Sequence, residues 1–181
     1  HYPSPVVTSA ALAARTSRIS IRAGSVVLPL HHPVRVAEDW AMIDSLSNGR
    51  VGFSIASGWH ARDFILMPGG HEGRKARMME MLPVLRALWR GEAVSFSNGT
   101  EDFSVRIRPL PVQEEIPIWL TAAGNRESFV EAGTNQLNLL TFLALTSPEA
   151  LSEKIEAYVS AFAATERPGR DAKPHVSVMV H

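Results

Sequence analysis

One stretch, residues 46–64 (LSNGRVGFSIASGWHARDF), restricts the possible folds more than any other. Val51, Phe53 and Ile55 alternate there with small residues only, forming a short apolar run. A strand of that kind is stable when both faces are covered, as in a parallel sheet flanked by helices. Asn48-Gly49, just before it, is a helix stop, because both residues tolerate the left-handed backbone of a C-terminal cap. Directly after it comes Ser57-Gly58-Trp59-His60-Ala61-Arg62-Asp63, polar, aromatic and glycine-containing. Loops at the carboxyl ends of parallel strands carry the chemistry of α/β folds. This loop is therefore the first candidate for function.

The rest of the chain alternates in the same way. Ser4-Pro5 is a cap with a first-turn proline, opening a helix to about residue 17. Residues 19–28 read as a strand that Pro29 ends. His32-Pro33 opens a second helix with Val36, Ala37, Trp40 and Ile43 on one face. Residues 73–89 form a third, with Met78, Leu82, Leu85 and Trp89 inward, and Pro83 is expected to kink or split it. Ser97-Asn98-Gly99-Thr100 is a hairpin signal between residues 94–96 and 103–107. A strong strand at 116–122, a short helix at 125–133 and a strand at 137–143 follow. Ser147-Pro148-Glu149 starts a helix to about residue 165, with Leu151, Ile155, Tyr158, Val159 and Phe162 facing the core. A polar loop at 167–173 precedes a last strand at 175–180.

Five sheet strands besides the hairpin, alternating with helices, indicate a parallel α/β sheet in one domain. A full eight-stranded barrel takes about 250 residues. The pattern of this 181-residue chain fits a partial barrel or an open doubly wound sheet equally well.

Charge and composition exclude several functions. Lys plus Arg and Asp plus Glu both number 18, which argues against a nucleic-acid or anionic-membrane surface. The absence of cysteine excludes disulfides, Cys-ligated zinc and thiol catalysis. No apolar run approaches the roughly 20 residues that span a bilayer. The Ala-rich start runs into Arg15 with an amphipathic pattern, so it reads as a helix and not a signal peptide; a cytoplasmic setting is expected. The chain begins at His1 without an initiator Met and ends at His181 directly after an apolar strand. Since that leaves an unpaired sheet edge, a fragment or the ordered part of a longer chain is expected.

Residues 116–126, IPIWLTAAGNR, pass from a strand through Ala122, Ala123 and Gly124 straight into a helix start. N–H groups from Gly124 onward then sit at the positive end of a helix, a ready anion site to which Arg126 adds a full charge. The competing reading is a tight turn whose small residues serve packing. Gly24-Ser25, inside an apolar strand, reads either as a bulge or close approach to a ligand, or as a small step beneath a bulky neighbour. His60 is a candidate acid/base or hydrogen-bonding group by type and position. Trp59 beside it suits stacking on a planar ligand or closing a rim. His31, His32 and His71 lack a carboxylate pair or HExxH spacing, so no metal is expected. Residues 69–75 (GGHEGRK) lack the GxxxxGK[ST] spacing, and neither GxGxxG nor GxSxG occurs.

Taken in order, PSPVVTSAALAARTSRISIRAGSVVLPLHHPVRVAEDWAMIDSLSNGRVGFSIASGWHARDF and RPLPVQEEIPIWLTAAGNRESFVEAG resemble the bacterial luciferase-like monooxygenases. The strand at 137–143 and the Ser147 helix continue the likeness, which is nearest to the branch associated with natural-product assembly lines. LPLHHPVRVAEDW, NGRVGFSIASGWH and PIWLTAAGN in that order make it specific. The resemblance implies an α/β TIM (β/α)8 barrel, with residues 1–181 as a partial-barrel domain lacking the first two strands and the last. It implies reduced FMN as cofactor, dioxygen as co-substrate, a small organic molecule to be oxygenated, and a separate flavin reductase. A homo-oligomer is expected because a partial barrel exposes apolar edges. A deazaflavin-dependent oxidoreductase and a non-catalytic flavin-binding or interaction module are the alternatives.

By the same resemblance the flavin ring lies against Gly24 and Ser25, where relatives have a non-proline cis peptide. The phosphate lies near Ser57 and Gly58 and the Ala123-Gly124-Asn125 turn, with Arg126 or Arg62 supplying charge where luciferase itself has an arginine at the Ser57 position. His60 stands at the substrate mouth as the catalytic candidate. No side-chain triad is expected, since a flavin brings its own redox chemistry.

Overall fold

The computed structural model describes residues 4–68, 70–144, 146–165 and 173–180. Its contacts divide the chain into two compact units, His1–Gly52 with Ala56–Ile116, and Phe53–Ile55 with Pro117–His181.

In the first unit, α1 (Pro5–Arg15) starts at Ser4, whose side chain accepts from the Val7 N–H at 3.3 Å. Proline at the next position has no N–H to leave unpaired and a φ already suited to the helix. β1 (Ile21–Val27) gives way to a 3-10 turn, Leu28–Leu30, around Pro29. α2 (Pro33–Ser47) repeats the proline start, with His32 Nδ1 accepting from the Val34 N–H at 3.3 Å. Val36, Ala37, Trp40 and Ile43 are buried as their spacing predicts. Asn48 ends the helix at φ 57, and Gly49 donates to the Asp44 carbonyl at 3.0 Å. β2 (Val51–Ala56) follows, with Val51, Phe53 and Ile55 at 0% exposure.

α3 (Arg74–Trp89) runs unbroken through Pro83, so the expected split does not occur. Pro83 sits on the exposed face, and Leu82, Leu85, Leu88 and Trp89 are all buried around and beyond it. Each such side chain gains about 1.5–3 kcal/mol on burial, against about 3 kcal/mol for one interior proline. β3 (Val94–Ser97) and β4 (Asp102–Val105) form an antiparallel hairpin in register Phe96↔Phe103, with Asn98 Oδ1 accepting from the Thr100 and Glu101 N–H groups.

The second unit holds the centre of β2 with β5 (Ile118–Thr121), α4 (Arg126–Thr134), β6 (Asn138–Phe142), α5 (Pro148–Ala164) and β7 (Val176–Met179). Strands β2, β5, β6 and β7 are parallel neighbours, in registers Ile55↔Leu120, Leu120↔Leu139 and Leu139↔Val176. Phe53, Ile55, Leu120 and Leu139 therefore share one fully apolar face, whereas Ser54, Trp119, Thr121 and Asn138 share the other. α5 buries Leu151, Tyr158 and Phe162, but Val159 is 40% exposed and Ala157 is buried instead. Val159 falls at the edge of the stripe centred on Tyr158, where apolar character does not ensure cover. The loop expected at 167–173 lies, apart from Lys173, outside the described residues.

The hydrogen-bonded strand order is β1-β2-β5-β6-β7, with the hairpin separate. Each sheet strand is added beside the one before it. A doubly wound sheet reverses its order at a switch point, so this succession is of the barrel type, a parallel half-barrel. Among the described residues no helix is long and apolar enough to cross a membrane.

Candidate functional site

Within the first unit, β1 carries the Gly24-Ser25 step, and the peptide between these residues is cis. Gly24 is exposed and Ser25 half-buried. Beyond β2 the chain turns at Gly58, which is buried with φ +83. A Cβ there would lie 2.8 Å from Val27 Cγ1 and 3.0 Å from the Phe64 ring. Conformation and space both require glycine. The contact also brings the Ser57-Gly58 step against the end of β1, two residues on from Ser25.

What holds that step in place was not legible in the sequence. Arg74, in the first turn of α3, donates from Nε to the Gly58 carbonyl at 2.6 Å and from Nη1 to the His71 carbonyl at 3.2 Å. One turn on, Arg77 donates to the Gly70 carbonyl at 2.9 Å. A cation in the first turn of a helix runs against the helix dipole, and that was the available signal.

His60 is exposed and opens the 3-10 turn Ala61–Leu66, its carbonyl accepting from the Asp63 N–H at 3.1 Å. Its ring lies 4.3 Å from that of Trp59, tilted by 34°, and Trp59 is 83% exposed. Among the described residues no hydrogen bond engages its imidazole. The two rings form an aromatic pair with Trp59 on display. His32 and His71 have local duties. His32 caps α2 and sits 5.0 Å from the Phe96 ring, and His71 meets Phe64 edge-on at 5.2 Å. Burial lowers the pKa of His31, with Asp39 acting in the opposite direction.

Within the second unit, Ala122 is buried and its N–H donates to the Leu140 carbonyl at 2.9 Å, extending the β5–β6 ladder. Ala123 is half-buried, while Gly124, Asn125 and Arg126 are exposed. Asn125 is the N-cap of α4, its Oδ1 accepting from the Ser128 N–H at 3.2 Å. A Cβ on Gly124 would meet nothing within 4 Å, so the space in front of the turn is open. The turn thus offers an anion open room, exposed backbone at a helix start and the Arg126 cation. Glu127, in the same first turn, opposes a second negative charge. On balance the donor set fits a phosphate that approaches from the Gly124 side. One polar pair beneath it escaped sequence reading: Ser54 Oγ lies 2.6 Å from Thr121 Oγ1 and 3.2 Å from the Trp119 carbonyl.

Residues 1–181 match the profile of a family described as Luciferase-like monooxygenase. The chain is 32% identical over 138 residues to the oxygenase component of the flavin-dependent trigonelline monooxygenase of Acinetobacter baylyi, covering 74% of this chain and 38% of that protein. Over 181 residues it is 33% identical to the pyrimidine monooxygenase RutA of a Bradyrhizobium species, covering 94% of this chain and 48% of that protein. Among solved structures, the monooxygenase RslO1 of Streptomyces bottropensis superposes with a TM-score of 0.82 at 24% identity, covering 98% of this chain and 56% of that one. The oxygenating constituent of 3,6-diketocamphane monooxygenase from Pseudomonas putida, in complex with FMN, gives 0.79 at 18% identity, covering 98% and 52%. At such identities the structural likenesses bear on the fold alone. The chain spans about half or less of the length of these curated relatives.

Proposed function

We propose that this chain, which belongs to the luciferase-like monooxygenase family, is the flavin-binding portion of a monooxygenase that uses reduced FMN and dioxygen to oxygenate a small organic substrate. The observation that carries this reading is the strand succession of the half-barrel, which delivers the Ser57–His60 and Ala122–Arg126 segments from the carboxyl ends of β2 and β5. Barrel enzymes build their sites at that end.

In this reading Gly24 and Ser25 lie along the flavin ring. Ser57, Gly58, Ala123, Gly124, Asn125 and Arg126 hold the phosphate, and His60 stands at the substrate mouth. The flavin, when bound, supplies the redox chemistry. The chain's own residues bind it, orient it and exclude water. FMN is favoured over a deazaflavin by the flavin-dependent relative. That relative is named an oxygenase component, which supports a separate reductase as electron donor. A homo-oligomer in a cytoplasmic setting completes the proposal.

Titration of the protein with oxidised and with anaerobically reduced FMN, followed by flavin fluorescence, tests it. A saturable change in either redox state is expected. No saturable change in both would overturn the flavin reading.

A further inference from the structure

We infer that Arg74 is a positioning residue, which fixes the loop after β2 in the shape that presents Ser57 and His60, and that it acts as a two-pronged fork on backbone carbonyls rather than through its charge alone. What the loop is presented to rests on the proposed function; that the loop is clasped does not.

The start of α3 is poor in local support. Its N-cap is Gly73, at φ +68, with no side-chain cap, and no acid occupies its first turn. Arg74 sits there against the helix dipole, so its place is explained by what it reaches. Its Nε contact with the Gly58 carbonyl and its Nη1 contact with the His71 carbonyl take hold of the loop at both feet. The Arg77 bond to Gly70 reinforces the second foot. Between the feet, Phe64 is 4% exposed and fills the interior. Trp59, Ile65 and Leu66 are 83%, 81% and 74% exposed. The loop is anchored at its base and displayed at its tip.

Gly58 explains why an anchor is needed. Glycine has the widest backbone freedom of any residue, and this one stands between the two residues the loop presents. Left alone it is a hinge. The bond from a guanidinium to its carbonyl is charge-assisted and short, and it removes that freedom where Ser57 and His60 would otherwise swing apart. A lysine keeps the charge but cannot span both carbonyls with a planar fork.

The test compares wild type, Arg74→Lys and Arg74→Ala by hydrogen exchange of the segment 57–68, by thermal midpoint and by FMN titration. Both variants should exchange faster in that segment and bind FMN more weakly by on the order of tenfold. The midpoint should fall by no more than about a few degrees, too little to account for the loss of affinity, with lysine no better than alanine. Wild-type affinity in Arg74→Lys would show that charge alone matters and overturn the inference. Affinity that falls only in step with the midpoint would reduce Arg74 to a structural residue. Unchanged exchange would remove the clasp altogether. If wild type itself binds no FMN, the proposed function fails, and exchange in the variants still decides whether the clasp exists.

Discussion

Gln113 grips Asp44 twice, through its backbone N–H to Oδ2 at 2.9 Å and its side-chain amide to Oδ1 at 2.7 Å. The Val112 N–H adds a third bond at 2.8 Å, and Asp44 is 0% exposed. A fully buried carboxylate is tolerated because N–H donors surround it. Gln113 is held further, since its side-chain amide also donates to the Val51 carbonyl and its backbone carbonyl accepts from Trp89 Nε1. This knot ties α2, β2 and α3 to the segment that leads from the hairpin towards β5.

Breaking the knot from either side should be costly. Asp44→Ala orphans three donors and is expected to lose about 3–4 kcal/mol. Asp44→Asn should do little better, because one of its two carboxylate positions becomes an N–H facing an N–H. Gln113→Ala should cost about 2 kcal/mol. Urea unfolding of the two alanine variants and their double should give a coupling of more than about 1 kcal/mol. Additive losses would show that the two residues act independently.

These bonds also mark how far the sequence could be read. Ser4, Asn48, Asn125 and Ser147 announce helix ends because a cap acts on residues within four positions of itself. The parallel sheet followed from the alternation of strands and helices, but its strand order did not, and the turn at 122–126 followed from its small residues. Asp44, by contrast, looks like any solvent-facing helix acid, and its partners lie 68 and 69 residues away. Arg74 meets Gly58 across 16 residues, and Ser54 meets Thr121 across 67. Such contacts are created by packing, so no local pattern encodes them. His60 differs again, since its type and position mark it in the sequence, whereas its ring contact with Trp59 is between neighbours in the chain.

Gly133 is expected to be intolerant of any side chain. A Cβ there would lie 2.5 Å from the Tyr158 carbonyl oxygen and 2.7 Å from the Phe162 nitrogen, both backbone atoms of α5. Neither can move without separating the two helices. Gly133→Ala should therefore destabilise by about 2–3 kcal/mol, despite alanine's better helix propensity. A denaturant midpoint equal to wild type would show that α4 and α5 slide apart freely.

Tyr158 should make stability depend on alkaline pH. Its hydroxyl donates to the Leu137 carbonyl at 3.0 Å, and burial pushes its pKa up to about 12. An unfolded tyrosine ionises near 10, so the fold favours the neutral phenol. The stabilisation is complete below about 10 and is lost as pH rises through about 12. Tyr158→Phe leaves the Leu137 carbonyl without this donor and should cost about 1–2 kcal/mol at neutral pH. The variant should also lose part of the alkaline decline. Unfolding curves across that range check both, and an identical alkaline slope in wild type and variant would count against the assignment.

Gly124 allows binding to be separated from stability. The space beyond its Cα is open, and its φ is not in the left-handed range. Gly124→Ala should therefore change stability by no more than about 0.5 kcal/mol. Gly124→Asp should fold equally well, yet it places a carboxylate in the direction from which the phosphate is proposed to approach. Like charges in contact there should weaken FMN binding by more than about tenfold. Riboflavin, which has no phosphate, should be affected far less. Paired titrations of the two flavins with wild type and both variants measure the difference. FMN affinity unchanged by Gly124→Asp would place the phosphate elsewhere, whereas equal losses for FMN and riboflavin would point to a steric block instead of a charge.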